Sequence, residues 1–361
     1  MPSQRGRIAW IRPRFTWKAI MSVTIRDVAE AAGVSITTVS RALNAEAGVS
    51  PVTQERILEH AHALGYSPNR SAQSLRRAAT NVVGLVIKGP ANPFFTELME
   101  PIERYLRCRG YVVSILRVLH DDDELAAAVE FATSYRVSGM IMLGGWRSVG
   151  QDNWMKIPVP AVLCTVPEII GADRETYSSV AVDDAQAMEL IVAHLLGCGH
   201  QRIAFIGPAK GDNSIGASRM AHFVESLHRH GYEQDRRLLL HGESTSSYSY
   251  AYGERVTRQF LADGGDATAL VCMSDVIAIG ALRALADAGV RVPEEMAVTG
   301  FDGITLASYT SPRLTTVRQP IREIAERTCE VLFARMRTPV AHHLLIPATL
   351  VEAESTVGRP R

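Results

Sequence analysis

Cysteine is scarce and unpatterned in this 361-residue chain. Its five cysteines, Cys108, Cys164, Cys198, Cys272 and Cys329, are odd in number and never spaced C-x-x-C. That excludes a disulfide framework and a zinc site, and it points to a reducing cytoplasm. No apolar run approaches the ~20 residues that a membrane-spanning helix needs. Near the start, Arg5, Arg7, Arg12, Arg14 and Lys18 interrupt the apolar residues too often for a signal-peptide core. Lysine is rare too, with Lys18, Lys88, Lys156 and Lys210 against 38 basic residues in all, which reflects genome composition rather than mechanism. Also missing are a Walker loop, H-E-x-x-H, G-x-S-x-G and the dinucleotide G-x-G-x-x-G. Nothing therefore signals an enzyme, and neither a cofactor nor a metal is expected. His200 is the one tempting base, but it sits in the turn Gly199-His200-Gln201-Arg202 before a strand-like run. It more simply satisfies backbone groups there.

Net charge is zero overall but unevenly spread. Residues 1–80 hold 11 Lys/Arg against 5 Asp/Glu, and the remainder carries 27 against 33. A basic head on an acidic body suits contact with phosphates, because neutralising them releases counterions. The length fits two or three domains.

Within the basic part, Thr24–Asn44 has the layout of two short helices and a tight turn. Ile25, Val28, Ala29 and Ala32 recur at helical spacing, Gly33 sits where a turn needs no Cβ, and Ser35 can cap the next helix. Val39, Ala42 and Leu43 make the second buried stripe, leaving Ile36, Thr37, Ser40, Arg41 and Asn44 outside. This is a helix-turn-helix pattern, whose second helix enters the DNA major groove by its N-terminal end. An unrelated αα-hairpin is the plainer alternative. Ile36 offers apolar contact to a thymine methyl, Thr37 one hydrogen bond, and Arg41 a grip on guanine or phosphate. Ser35, Thr38 and Asn44 suit phosphate oxygens.

From Asn81 onward, strand-like apolar runs alternate with helix-length amphipathic stretches. The first series is Val82–Ile87, Tyr111–Leu116, Gly139–Leu143 and Ala161–Cys164. The second is Arg202–Ile206, Arg237–Leu240, Ala269–Cys272 and Met296–Thr299. Such alternation predicts parallel sheets flanked by helices, here as two similar lobes.

The ordered set of motifs resembles the lac repressor/galactose repressor family of bacterial transcription regulators. It comprises Thr24–Asn44, a third-helix segment Val49–Leu64, the stretch Gly65–Leu75, Ala91-Asn92-Pro93-Phe94-Phe95, Gly199–Gly207, Asp275–Leu282, Gly300-Phe301-Asp302 and Leu314–Pro320. The resemblance covers about residues 21 to 361. It implies a helical DNA-binding head over 21–66, a hinge over 67–80 and a periplasmic-binding-protein-like α/β core over 81–361. The chain would cross between lobes near 181, 318 and 346. That gives an N-lobe of about 81–181 and 319–345, and a C-lobe of about 182–317 and 346–361. Residues 1–20 would be either a disordered basic arm or a misassigned start. The latter is favoured because the signature begins three residues after Met21.

The resemblance also implies site residues. The DNA-contact set is Thr24, Ser35, Ile36, Thr37, Thr38, Arg41 and Asn44, joined by hinge residues Asn69, Ala72 and Leu75. Ala72 would let two hinge helices touch, and Leu75 would wedge into the central minor-groove step. The effector set is Phe94, Thr165, Arg219, Tyr248, Ser274, Asp275, Asp302 and Gln319, gathered in the cleft between lobes. For Asp275 a structural role stands beside the cleft contact, since the family commonly uses that position to hold a lobe together. Thr165 stands where many sugar-binding members carry an aspartate, so no particular hexose is named. Arg219 with Asp302 favours a carbohydrate or sugar acid acting as inducer. A purine-like corepressor stacking on Tyr248 or Phe94 is the alternative, and a soluble sugar receptor without a DNA role is a lesser one. The expected partners are operator DNA and a second copy of the chain, because no C-terminal heptads call for a tetramer.

Overall fold

A computed structural model describes residues 23–43, 48–64, 81–89, 92–119, 122–145, 147–148, 151–233, 235–243 and 248–357. Residues 1–20, Asn44, and the hinge positions Asn69, Ala72 and Leu75 lie outside the described residues. The chain divides into two compact units, Met1–Ala78 and Ala79–Arg361.

The first unit is helical, with α1 (Ile25–Ala32), α2 (Ile36–Leu43) and α3 (Pro51–Ala63). Each helix begins where a short polar side chain meets exposed backbone N–H groups. Asp27 accepts from both the N–H and the hydroxyl of Thr24 at 2.7 Å. Ser35 Oγ accepts from Thr38 N–H at 3.1 Å, and Ser50 Oγ from Thr53 N–H at 3.3 Å. α1 ends because Gly33 adopts φ +64°, a left-handed conformation that costs glycine little. The three helices then bury Val28, Val39 and Ile57 completely, with Ala29, Ala32, Ala42 and Ala61 letting the backbones approach. Each buried aliphatic contributes roughly 1.5–3 kcal/mol, a large share for so small a unit. Gln54 Nε2 also donates to Ala42 O at 3.1 Å, tying α3 to the end of α2.

The second unit contains two six-stranded sheets. The N-lobe sheet is built from β1 (Val82–Lys88), β2 (Val112–Val118), β3 (Gly139–Leu143), β4 (Ala161–Cys164), β5 (Ser179–Val182) and β11 (His343–Ile346), in the order β11-β5-β4-β3-β1-β2. Every pairing in it is parallel. The C-lobe sheet uses β6 (Ile203–Ile206), β7 (Leu239–Leu240), β8 (Ala269–Cys272), β9 (Ala297–Asp302), β10 (Thr315–Arg318) and β12 (Thr349–Val351), in the order β12-β10-β9-β8-β6-β7. It is parallel except where β12 runs antiparallel to β10. Strands covered on both faces need continuous apolar runs, and β3, β4, β6 and β8 are buried along their whole length.

The chain passes from one sheet to the other after Val182, after Arg318 and after Ile346. The crossover strands β5, β10, β11 and β12 are not among the eight runs that hydropathy selects. Arg237 and Leu238, expected as strand, instead form a 3-10 turn leading into the two-residue β7. Helices cover the sheets. They are α4 (Pro93–Arg107), α5 (Glu124–Tyr135), α6 (Gln151–Trp154) and α11 (Ile321–Arg337) in the N-lobe, and α7 (Asp184–Gly197), α8 (Ile215–Arg229), α9 (Tyr250–Ala262) and α10 (Asp275–Asp287) in the C-lobe. The carboxyl ends of the strands in both sheets thus face the cleft that three short connections span.

Candidate functional site

Arg219 lies one turn into α8, and its long side chain is buried, 4% exposed. Its Nε donates to Asp184 Oδ1 at 2.9 Å, its Nη1 donates to Met273 O at 2.8 Å, and Nη1 also faces Asp302 Oδ1 at 3.6 Å. The guanidinium carbon stacks 3.6 Å from the centre of the Phe301 ring. Nη2 hydrogen-bonds to no described residue.

Asp302 ends β9 with φ +121°, and Thr165 follows β4 with φ +72°. Side chains other than glycine hold such backbone only where the surroundings enforce it, at a cost of about 1–3 kcal/mol each. Two of the three described non-glycine residues with positive φ therefore stand at strand ends facing the cleft. Asp302 Oδ1 accepts from Gln319 Nε2 at 2.8 Å, and Oδ2 accepts from Asn92 Nδ2 at 3.2 Å. Burial pushes its carboxyl up to about 6, although Arg219, Asn92 and Gln319 each favour the charged form. Asp184 is raised by burial as well, against the pull of Arg219. Asn92 caps α4 by accepting from Phe94 N–H at 3.0 Å, so one amide both starts an N-lobe helix and reaches a C-lobe carboxylate. Gln319 is 2% exposed, and its Oε1 has no partner among the described residues.

These groups surround a cavity of about 70 Å³. Phe94, Thr165, Arg219, Tyr248, Asp302 and Gln319 all line it, drawn from both lobes and the second crossing. Tyr248 is fixed by its hydroxyl, which accepts from Gly216 N–H at 2.8 Å and pairs with Ser214 Oγ at 3.0 Å. Thr165 Oγ1 accepts from Gly144 N–H at 3.2 Å.

Ser274 and Asp275 do not line the cavity. Ser274 is fully buried, and its hydroxyl has no partner among the described residues. Asp275 accepts from Thr316 Oγ1 at 2.6 Å and from Ile304 N–H at 2.8 Å, and so fixes the loop after β9. Gly300 permits this, since a Cβ there would lie 2.1 Å from Asp275 Oδ1. Asp275 is thus spent inside the C-lobe, positioning the loop that carries Asp302.

Sequence reasoning missed Asn92, Lys88 and Asp184. Lys88 and Asn92 line the cavity, and Lys88 donates to the Asp122 carbonyl. A signal for Lys88 existed: a charged residue closes an otherwise apolar strand. Asn92 before Pro93 reads first as an ordinary helix cap, and its reach to Asp302 is a tertiary fact. His200, set aside above, pairs its ring with Thr268 Oγ1 at 3.0 Å rather than with backbone.

On the helical unit, Ile36 is 37% exposed, Thr37 and Arg41 are exposed, and Arg41 makes no hydrogen bond or ion pair with a described residue. Thr38 is half-buried, its hydroxyl 2.8 Å from Ser35 Oγ. Thr24 is exposed but held by Asp27.

A helix-turn-helix unit joined to a two-lobed core, with a cavity in its cleft that Arg219, Asp302 and Gln319 line, defines a ligand-responsive DNA-binding regulator. The family model for bacterial regulatory proteins of the lacI family matches residues 24–69, and that for the periplasmic binding protein-like domain matches residues 192–356. The HTH-type transcriptional regulator MalR of Clostridium butyricum is 31% identical over 342 residues, covering 92% of this chain and 99% of that protein. The regulator GalR of Salmonella typhimurium is 30% identical over 335 residues, covering 92% and 95%. The lac repressor dimer bound to operator and the anti-inducer ONPF superposes with a TM-score of 0.78 at 26% identity, covering 93% of this chain and 99% of that one. The regulator CelR in complex with cellobiose gives 0.69 at 28% identity, covering 92% and 99%. The chain belongs to the lacI/galR family of bacterial transcriptional regulators, which are DNA-binding proteins rather than enzymes. No described helix is long and apolar enough to cross a membrane.

Proposed function

We propose that the chain is a cytoplasmic repressor of carbohydrate-utilisation genes, released from its operator when a sugar binds between the core lobes. The observation that carries the effector half is the meeting of Arg219, Asp302 and Gln319 around one cavity, with a buried Gln319 acceptor still to be satisfied. The complex of the related regulator CelR with cellobiose supports the sugar class. For the DNA half, the exposed Ile36, Thr37 and Arg41 on one helix face support base reading. A two-fold dimer would place two such faces on a pseudo-palindrome of roughly 14–20 base pairs, with paired Leu75 side chains at its centre. Effector and operator are then linked by a coupling of about 1–3 kcal/mol, set by the effector's differential affinity for the two states.

The test has two arms. Mobility shifts on the promoter region of the chain's own gene should show a specific complex that a stabilising sugar dissolves. The same sugar should no longer raise the melting temperature of Arg219→Ala or Asp302→Ala. A sugar that stabilises wild type and both variants equally rules out this cavity, and one that tightens the DNA complex rules out induction.

A further inference from the structure

The charges around the cavity narrow the ligand further than carbohydrate. One guanidinium, Arg219, faces two carboxylates, Asp184 at 2.9 Å and Asp302 at 3.6 Å. Asp275 lies outside the lining, and burial with the neighbouring Asp302 charge pushes its carboxyl well up toward the neutral form. On the N-lobe side, Lys88 lines the cavity, and the Glu124 carboxylate packs against Gly145, whose Cβ would lie 2.8 Å from Oε1. Those two add one charge of each sign, so the surroundings of the cavity carry more negative charge than positive.

Asp184 is the residue that tips this balance. It does not line the cavity, and it reaches the site only through Arg219. Without it, the buried guanidinium would share its charge with Asp302 alone, 3.6 Å away, leaving more of that charge for an anion. With it, an incoming carboxylate or phosphate meets an arginine already neutralised from behind, beside a second acid.

The hydrogen-bond inventory points the same way. Gln319 Nε2 is committed to Asp302, so its amide presents Oε1 as an acceptor without a partner among the described residues. Asp302 is also an acceptor. Both need a donor, which a hydroxyl supplies and an ionised carboxylate or phosphate dianion does not. Arg219 Nη2 remains as a donor for a ligand oxygen. A volume of about 70 Å³ holds about five to seven waters at 10–15 Å³ each, and at about 30 Å³ of liquid volume per water that matches one sugar ring rather than two.

We propose that the effector is an uncharged one-ring polyhydroxylated compound, and that Asp184 enforces this choice by neutralising Arg219 from outside the cavity. The proposal rests on the carbohydrate reading above. Asp184 is a specificity-determining residue that touches no ligand.

Calorimetry and thermal shift on the full chain provide the test. The probes are D-glucose, D-galactose, D-xylose and D-ribose, the acids D-gluconate, D-glucuronate and D-galacturonate, glucose 6-phosphate, the disaccharides maltose and cellobiose, and hypoxanthine. One neutral monosaccharide should bind best, with every acid or phosphate at least tenfold weaker and the disaccharides weaker still. In Asp184→Asn the gap between the neutral sugar and the acids should shrink at least fivefold, a ratio that simple loss of stability would not change. An acid, phosphate or disaccharide that binds wild type more tightly than the neutral rings overturns the proposal while leaving the carbohydrate reading in place. An unchanged ratio in folded Asp184→Asn removes the role assigned to that residue. Binding of hypoxanthine alone, or of none of the probes, overturns both readings.

Discussion

Asp184 and Arg219, 35 positions apart on α7 and α8, form an ion pair at 2.9 Å with side chains only 5% and 4% exposed. A pair this buried gains Coulomb energy in a medium of low dielectric but gives up the hydration of both ions. Its value lies in orientation: the same guanidinium is held by Met273 O and by the Phe301 ring, so it cannot leave the cleft. The guanidinium is thus held by a carboxylate, a carbonyl and a ring face before any ligand contact is considered.

Removing one partner of this pair should therefore cost far more than removing both. Arg219→Met leaves Asp184 and Asp302 buried without their cation, and a loss of roughly 3–5 kcal/mol is expected in chemical denaturation. Asp184→Leu in the Arg219→Met background should recover at least about 1 kcal/mol. Additive losses in the double variant would show that the two residues are not energetically coupled.

Much of the fold was legible because buried parallel strands need continuous apolar runs, and all eight of the selected runs contain strand residues. The crossover strands were not legible from pattern. β5, β10, β11 and β12 are three or four residues long, and β11 and β12 join the sheet edges by pairing with β5 and β10. In the site, Arg219, Asp302 and Gln319 were found through motif resemblance, and Asp275 was offered as a contact because it too follows a strand end. What separates Asp275 from Asp302 is Thr316 and the Ile304 N–H, partners that only the folded loop supplies. Asp184 carries no signal at all: an aspartate at the start of a helix is ordinary in any sequence.

The stability of the core should depend on pH through Asp302. Its folded carboxyl titrates at about 6 against an ordinary 3.8, because burial, helped by the nearby Asp184 charge, outweighs the pull of Arg219, Asn92 and Gln319 toward the charged form. The folded state then holds a proton that the unfolded chain has released, so this group's contribution is full below about pH 4 and is lost as pH rises through 6. The span corresponds to roughly 3 kcal/mol, and Asp184 and Asp275, also raised, act with the same sign. Denaturation midpoints for wild type and Asp302→Asn between pH 4 and 7.5 should differ in slope, the variant being flatter over pH 4–6. Parallel curves would show that Asp302 is ionised at its ordinary pKa.

Thiol reactivity should divide the five cysteines two against three. Cys108 and Cys198 are exposed, whereas Cys164, Cys272 and Cys329 are buried. Burial pushes the Cys164 thiol up to about 12 and raises the other two as well, which removes the reactive thiolate. A disulfide reagent should titrate two thiols quickly in the native protein and three more only in denaturant. Fast reaction of a third thiol in native conditions would contradict the packing around β4, β8 and α11.

The reading face of α2 gives a prediction independent of the effector. Arg41 is exposed and makes no hydrogen bond or ion pair with a described residue, so Arg41→Ala should leave the melting temperature unchanged. Its effect on binding to promoter DNA depends on what the guanidinium touches. Bidentate contact with a guanine would cost about 1–3 kcal/mol and relax discrimination at one base pair in each half-site. Contact with a phosphate would weaken all sequences alike and lower the salt slope by about one. Ile36, 37% exposed at the start of the same helix, has only apolar surface to offer. Ile36→Ala should therefore reduce preference for a thymine at its position without altering the salt slope. Val39→Ala supplies the control, since it empties a fully buried site between helices and should lower stability and DNA binding together. If Arg41→Ala and Ile36→Ala both bind promoter DNA like wild type, with the same salt dependence, this face of α2 is not the one that reads the operator.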